Sequence, residues 1–180
     1  MAVRPLSPGE PPRHIPDPGF SGDDGGVAAP LAAALANYSA SYAADPSTFH
    51  AALGLLQHER VLVPVVALLG EVEYDEDGLA HDKTSDMASV LLTASDGRKG
   101  LLAFTCMESL HAWNPDARPV PVPLKTAALS AIQDEADALI VDVAGPVPFV
   151  VDGDTLRYLA EGLTLIRHDG GWAWAQVSDA

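Results

Sequence analysis

The chain contains one cysteine, Cys106, whose thiol is a potential nucleophile. Thr105 and Glu108 have the spacing of a capping box, so we expect Thr105 to be the N-cap of a helix and Cys106 to lie in its first turn. The helix dipole favours a thiolate at that end. A nucleophile also needs a base, and His111 lies five residues on, about 140° around the helix. We therefore interpret Cys106 as a small structural residue and assign no catalytic residue.

Residues 71–82 carry six carboxylates and resemble a calcium-binding loop at Asp75-Glu76-Asp77-Gly78. Aligning Gly78 with the turn glycine of an EF-hand loop places Thr84 where a bidentate Glu is required. The six histidines do not form the close helical pair of a zinc protease, and one cysteine cannot form a thiolate cage. The sequence also lacks a complete glycine-rich phosphate loop and an esterase elbow. It therefore predicts no metal site and no cofactor.

The most compact polar cluster is Lys83-Thr84-Ser85-Asp86, which precedes Met87 and a strand. Ser85 and Asp86 can turn or cap the backbone through their side-chain oxygens. Alternatively, the cluster forms the rim of a binding surface, with Lys83 paired to Asp86 or to an acidic partner. The candidate binding residues are Lys83, Ser85, Asp86 and Met87.

Charge and composition restrict the partners. The 180 residues include 25 acidic and 10 basic side chains, giving a net charge of −15. Binding to phosphate backbones depends on Lys and Arg, so we expect no nucleic-acid partner. The longest apolar run, residues 61–69, contains Pro64 and is shorter than the about 20 residues that cross a bilayer. A single cysteine and the lack of an apolar signal-peptide core predict a cytoplasmic protein without membrane contact.

Prolines and glycines dominate the first 26 residues, which contain little large apolar surface to bury. The sequence therefore predicts a flexible tail over residues 1–29 and one domain over residues 30–180. An apolar fraction of 48% supports a packed core in that domain.

Periodicity and capping residues predict the elements that position these side chains. Helices are expected from Pro30, after Asp45-Pro46, from Thr105, over 124–134 and from Asp152 to Gly162. Strands are expected over 61–69, 88–93, 100–104, 138–143 and 148–151, with a closing hairpin of 163–166 and 172–175. This order predicts an α/β (mixed α+β) fold: a single domain with a mixed, largely antiparallel sheet flanked by helices.

Finer patterns predict details of this fold. Asp96-Gly97 is typical of a tight hairpin turn. Pro64 requires a bulge or an unpaired position, and the alternating prolines of residues 118–123 predict an edge strand or a polyproline-like crossing, with a proline-rich partner ligand as the alternative. In the helix over 124–134, the residues expected to face the core are Leu124, Ala128, Ala131 and Ile132.

Three segments form a combined pattern: Lys83-Thr84-Ser85-Asp86-Met87, Phe104-Thr105-Cys106, and Ala112-Trp113 followed by Pro119-Val120-Pro121-Val122. Together they resemble the SseB N-terminal-domain family of bacterial proteins. The resemblance extends upstream through LLQHERVLVPVVALLGE and downstream through ADALIVDVAGPVPFVV, so that it covers residues 45–162. Cys106 stands where the family pattern leads us to expect a small hydroxyl residue. The resemblance implies little chemistry: the family name refers to enhanced serine sensitivity, and some members are labelled type III secretion proteins.

The sequence leaves three functional hypotheses. The first is a non-catalytic cytoplasmic protein-binding or regulatory domain that recruits a partner through residues 83–87 and the proline-rich strand. The second is an enzyme or small-molecule binder with a cleft near Asp86, Thr105 and Cys106. The third, which follows from the resemblance alone, is a secretion-associated protein.

Overall fold

The computed structural model describes residues 19–20, 22–68, 73–74, 80–81, 86–145 and 148–177. Between residues 66 and 88 it describes the backbone alone, and elsewhere in these ranges it describes the side chains as well. These residues form five helices and eleven strands. The helices are α1 (Ala29–Ser41), α2 (Ser47–Leu56), α3 (Met107–Trp113), α4 (Leu124–Gln133) and α5 (Gly153–Ala160). The strands are β1 (Arg60–Leu68), β2 (Glu73–Tyr74), β3 (Ala80–His81), β4 (Asp86–Ser89), β5 (Leu91–Thr93), β6 (Lys99–Ala103), β7 (Arg118–Pro123), β8 (Ala138–Val141), β9 (Phe149–Asp152), β10 (Thr164–His168) and β11 (Gly171–Ala175).

A four-stranded sheet has the order β5-β6-β8-β9. β5 and β6 form the expected hairpin, in which Gly97 has a φ of 88° and its N–H donates to the Ala94 carbonyl at 3.0 Å. β6 and β8 are parallel because α3, β7 and α4 lie between them in the chain, and β8 and β9 are antiparallel. The predicted α/β fold, with a mixed and largely antiparallel strand arrangement, is confirmed.

A three-stranded antiparallel sheet has the order β4-β1-β7, and an isolated bridge between Leu62 and Phe104 joins it to the four-stranded sheet. The prediction of one strand over 88–93 is wrong, because the chain changes partner at Val90. β4 pairs with β1, whereas β5 pairs with β6, and the Val90 carbonyl accepts from the Leu102 N–H at 3.1 Å. Two short strands therefore replace the single predicted one.

The prolines occupy positions where a missing N–H breaks no ladder bond. Leu62 exchanges both backbone bonds with Phe104, at 2.8 and 2.9 Å, so its polar groups point away from β7. Backbone N–H and C=O groups point to opposite sides of a strand at successive residues, so Pro64, two residues after Leu62, also turns its nitrogen away from β7. On that other side of β1, pairing with β4 begins only at Val65. The prolines of β7 face Arg60, Leu62 and Pro64, so their nitrogens point to the open edge. The predicted edge strand is confirmed.

The main core lies between the inner face of the four-stranded sheet and helices α1, α2, α4 and α5. α4 buries Leu124, Ala127, Ala128 and Ala131, which follow the i, i+3, i+4, i+7 spacing of one helical face. The prediction that Ile132 faces inward is wrong. Ile132 is 40% exposed because it lies about 100° around the helix from Ala131.

A smaller core lies on the other side of the sheets, where Leu62, Leu102 and Phe104 pack with Leu110 of α3. The predicted closing hairpin is confirmed as β10 and β11. The Gln57 side-chain amide holds it at α2, donating to the Leu165 carbonyl and accepting from the Leu165 N–H, each at 2.8 Å. None of the helices in the described part of the chain has the length and apolar character needed to cross a membrane.

Candidate binding site

The carboxyl ends of β6 and β8 lie side by side because these two strands are parallel neighbours. Thr105 and Cys106 follow β6, and Asp142 follows β8 directly. In α/β sheets, ligands bind in the crevice beyond such strand ends. The fold therefore brings together polar side chains that are far apart in the sequence at a place suited to binding.

Thr105 and Asp142 are joined by two hydrogen bonds. The Thr105 N–H donates to Asp142 Oδ1 at 2.9 Å, and its hydroxyl donates to Asp142 Oδ2 at 2.7 Å. Thr105 is only 4% exposed, so this carboxylate satisfies a buried donor pair. Asp142 itself has a φ of 54°, a conformation that Asp adopts more readily than most residues. Sequence analysis did not single out Asp142.

Cys106, not Thr105, is the N-cap of α3, so the predicted capping box was placed one residue too early. The Thr105 hydroxyl donates to Asp142, which turns the Thr105 side chain toward the end of β8. Instead, the Cys106 sulfur accepts from the Ser109 N–H at 3.5 Å, and Ser109 takes the role expected of Glu108. The half-buried thiol thus caps α3.

A cavity of about 410 Å³ lies between α1 and these strand ends; we call it the α1 cavity. Its size falls within the roughly 300–1,000 Å³ of small-molecule sites. Its apolar wall consists of Val27, Ala32, Leu35, Ala36, Tyr38 and Phe149. Its polar side chains are Ser39, Thr105, Cys106, Ser109 and Asp142. Thr105 and Cys106, which the second hypothesis names near a cleft, thus line this cavity.

Aromatic contacts hold α1 over the cavity. Tyr38 of α1 meets Phe149 of β9 edge to face, with ring centroids 4.9 Å apart. Phe49 of α2 stacks on the same Phe149 ring at 4.9 Å. Burial raises the pKa of Tyr38 above its ordinary value, with a smaller contribution from Tyr42, so the Tyr38 hydroxyl stays neutral at physiological pH. This wall of the cavity is thus apolar and fixed by packing.

Arg60 fixes the other side of the cavity by binding residues 22–28. Its guanidinium holds Asp23 with two bonds, from Nε at 2.6 Å and from Nη2 at 2.9 Å, and Nη2 also donates to the Gly26 carbonyl at 2.6 Å. Nη1 donates to the Thr105 carbonyl. These residues belong to the predicted tail, but they contact the domain, and Val27 lines the cavity. The rest of the predicted flexible tail, residues 1–18 and 21, lies outside the described residues.

The Arg60–Asp23 pair also explains two titration shifts. Hydrogen bonding to Arg60 holds the pKa of Asp23 below its ordinary value. Hydrogen bonding to Asp23 raises the pKa of Arg60. Arg60 is only 10% exposed and Asp23 23%, so this pair is more shielded than an ordinary surface pair.

Asp142 is the one charged side chain among the described residues that line the α1 cavity. No salt bridge between Asp142 and a described Lys, Arg or His is present. The described residues also contain no group of three or more His, Cys, Asp or Glu side chains arranged to hold a metal ion. The cavity thus combines an apolar wall with one carboxylate.

Of the four predicted binding residues, Asp86 and Met87 lie within the described part of the chain. Lys83 and Ser85 are outside the described residues, whereas the backbones of Asp86 and Met87 begin β4, opposite Leu68 and Ala67 of β1. The second hypothesis was wrong to group Asp86 with Thr105 and Cys106. Phe104, which precedes Thr105, bridges to Leu62. Six residues of β1 separate the two positions, about 20 Å along an extended strand.

β4 and the start of β7 nevertheless flank the same end of β1, because Val65 pairs with Ser89 on one side and with Arg118 on the other. We call this region the sheet end. It brings the segment that follows Lys83–Ser85 and the proline-rich strand to one end of one sheet. Asp86 and Met87, the described part of the segment named in the first hypothesis, and the proline-rich strand therefore flank the same end of β1.

Fold and site together define a mixed α/β domain with a cavity at the carboxyl ends of two parallel strands. The chain belongs to the SseB protein N-terminal domain family, whose sequence pattern matches residues 31–158. The match begins earlier than the resemblance suggested and includes most of α1, while the β10–β11 hairpin falls outside it. Comparison with curated proteins found no match, and neither did comparison with solved structures.

Proposed function

We propose that this chain is a non-catalytic binding domain and that its α1 cavity takes a small ligand. The observation that carries the proposal is the position of the cavity: about 410 Å³ of largely apolar space at the carboxyl ends of β6 and β8, with Thr105 and Asp142 at its polar side. Such sites combine apolar walls with a few fixed polar groups that orient the ligand.

The contacts of the polar groups favour binding over catalysis. The Thr105 hydroxyl donates to Asp142, and the Cys106 sulfur accepts the capping bond of α3. Both groups therefore hold the fold together at this place. Their fixed positions suit recognition, which needs groups oriented before the ligand arrives.

A cavity-filling substitution tests this proposal. Ala36→Trp adds a large side chain at an exposed position of α1 that lines the cavity, whereas Ala33→Trp adds the same side chain at an exposed position of α1 that does not line it. Hexanol, a neutral probe, should bind the wild-type chain and Ala33→Trp alike in an amide NMR titration. Ala36→Trp should weaken binding by about tenfold or more. Equal hexanol binding to both variants would place the probe elsewhere and overturn the proposal.

A second candidate function is recruitment of a protein partner at the sheet end. It is supported by the register that brings β4 and Arg118 to one end of β1. In this proposal the domain acts in the cytoplasm, which agrees with its single cysteine, and residues Lys83, Ser85, Asp86 and Met87 contact the partner.

Charge reversal tests the second candidate. Lys83→Glu combined with Asp86→Lys should abolish partner capture in a pull-down and leave the melting curve nearly unchanged. Unfolding of the double variant would instead show that this segment is a structural cap. Unchanged capture would exclude the segment from the interface.

A further inference from the structure

We infer that the ligand of the α1 cavity is a small amphipathic amine, with an apolar body against α1 and an ammonium group that binds Asp142. This inference rests on the proposed ligand-binding function and specifies the ligand class. It is carried by the charge and the hydrogen bonds of the groups that line the cavity.

The Asp142 carboxylate can accept further donors. Its two oxygens offer about four acceptor positions. Two donors from Thr105 are in place, one on each oxygen. Asp23 shows the contrast, because the Arg60 guanidinium holds both of its oxygens. Asp142 has no such cation within the part of the chain that the structure describes. Its charge is thus available to a cationic ligand.

The other polar groups of the cavity do not favour an anion. The start of α3 could attract one through its free N–H groups. However, the N–H groups of Cys106, Met107 and Ser109 already donate, to Ser109 Oγ, the Gly25 carbonyl and Cys106 Sγ respectively. A net charge of −15 also lowers the local concentration of anions and raises that of cations. Asp142 would repel a carboxylate or phosphate ligand, and the described residues that line the cavity include no Lys or Arg to compensate.

The apolar wall sets the rest of the ligand. A cavity of about 150 Å³ lined by aliphatic side chains accommodates benzene. The α1 cavity, at about 410 Å³, has room for a chain or ring of at least six carbon atoms along Leu35, Tyr38 and Phe149. Burial of that surface supplies affinity, and the ammonium–carboxylate contact supplies selectivity.

Three probes of equal length separate these contributions: hexylamine, hexanol and hexanoate, each titrated into the full chain at neutral pH and followed by amide NMR. Hexylamine should bind about tenfold more tightly than hexanol, and hexanoate should bind most weakly. In Asp142→Asn, which keeps an acceptor for Thr105, the preference for hexylamine over hexanol should disappear. In Ala36→Trp, all three should weaken.

The outcomes separate a failure of the amine assignment from a failure of the proposed ligand-binding function. If none of the probes binds, the proposed ligand-binding function fails. If hexanol binds in the cavity but hexylamine binds no more tightly, or if hexanoate binds most tightly, the cavity remains a ligand site and the amine assignment is overturned. A preference for hexylamine that persists in Asp142→Asn also overturns it, because the preference then arises from net charge alone. If Asp142→Asn does not fold, the wild-type comparison is repeated at high salt, which screens the net charge more than a contact inside the cavity, and loss of the hexylamine preference there overturns the amine assignment.

Discussion

The α1 cavity and the sheet end are built in different ways. The cavity combines three segments distant in sequence, namely residues 27–39, residues 105–109 and residues 142–145 with Phe149, and hydrogen bonds from the Arg60 side chain and to the Asp142 carboxylate join several of them. The sheet end is built from backbone pairing along β1. A single substitution can therefore disturb the cavity, whereas the sheet end tolerates most side-chain changes and depends on where prolines are placed.

Loss of Arg60 should have the largest effect. Arg60→Leu removes the donors of Asp23 and of the Gly26 and Thr105 carbonyls at a side chain that is 10% exposed. We expect the free energy of unfolding to fall by about 2–3 kcal/mol in urea denaturation, because partly buried acceptors lose charged donors. Arg98→Leu is the matched control, since Arg98 is 70% exposed and bonds only Asp96 in the hairpin. A similar loss in both variants would contradict a special role for Arg60 at the cavity.

Loss of the Asp142 acceptor should have the next largest effect. Asp142→Ala leaves the buried Thr105 N–H and hydroxyl without their acceptor, which costs about 1–3 kcal/mol of unfolding free energy. Asp142→Asn should retain most of the stability, because its side-chain oxygen can still accept and because Asn tolerates a positive φ. Urea denaturation of both variants measures the difference. Equal losses would show that carboxylate charge, not the acceptor, holds this contact.

The Asp23–Arg60 pair should make stability depend on pH. Because Arg60 lowers the pKa of Asp23 in the folded state below its ordinary value of 3.8, the pair stabilises the fold above that pH. The contribution is lost as the pH falls through the lower folded-state pKa. The difference in unfolding free energy between the wild-type chain and Asp23→Asn should therefore be largest near neutral pH and should shrink as the pH falls below 3.8. A difference that is constant over this range would contradict an ionic contribution.

The smallest effect on stability is expected at the sheet end. Pro119→Val with Pro121→Val adds two N–H groups to the open edge of β7. At these positions the wild-type edge offers only carbonyl acceptors, and the added donors allow it to pair with a strand of another molecule. The free energy of unfolding should change by less than about 0.5 kcal/mol. Self-association in sedimentation velocity should exceed that of the wild-type chain. Val120→Thr is the control, since the N–H of residue 120 already points to β1, and equal self-association in all three chains would contradict the assigned edge.

The parts of the fold that the sequence predicts are those set by local chemistry. Asp96-Gly97 determines a turn, and alternating prolines restrict β7 to an edge, whatever the rest of the chain does. The cavity depends on the pairing of Thr105 with Asp142, 37 residues apart, and no local pattern encodes that contact. The N-cap prediction failed because α3 begins one residue later than the Thr105–Glu108 spacing indicates: Cys106 caps it, while the Thr105 side chain points to Asp142. One signal was present: an Asp directly after the apolar strand ALIV, in a chain whose strands alternate with helices.

The most direct test of the central claim compares the two regions in one experiment. Hexylamine is titrated into the full chain while the amide signals of Thr105, Ser109 and Gly145 at the cavity are followed beside those of Val120 and Val122 on β7. We predict saturable shifts at the cavity amides, no saturable shifts on β7, and loss of the cavity shifts in Ala36→Trp. Equal shifts in both regions, or cavity shifts that persist in Ala36→Trp, would contradict a ligand site beneath α1.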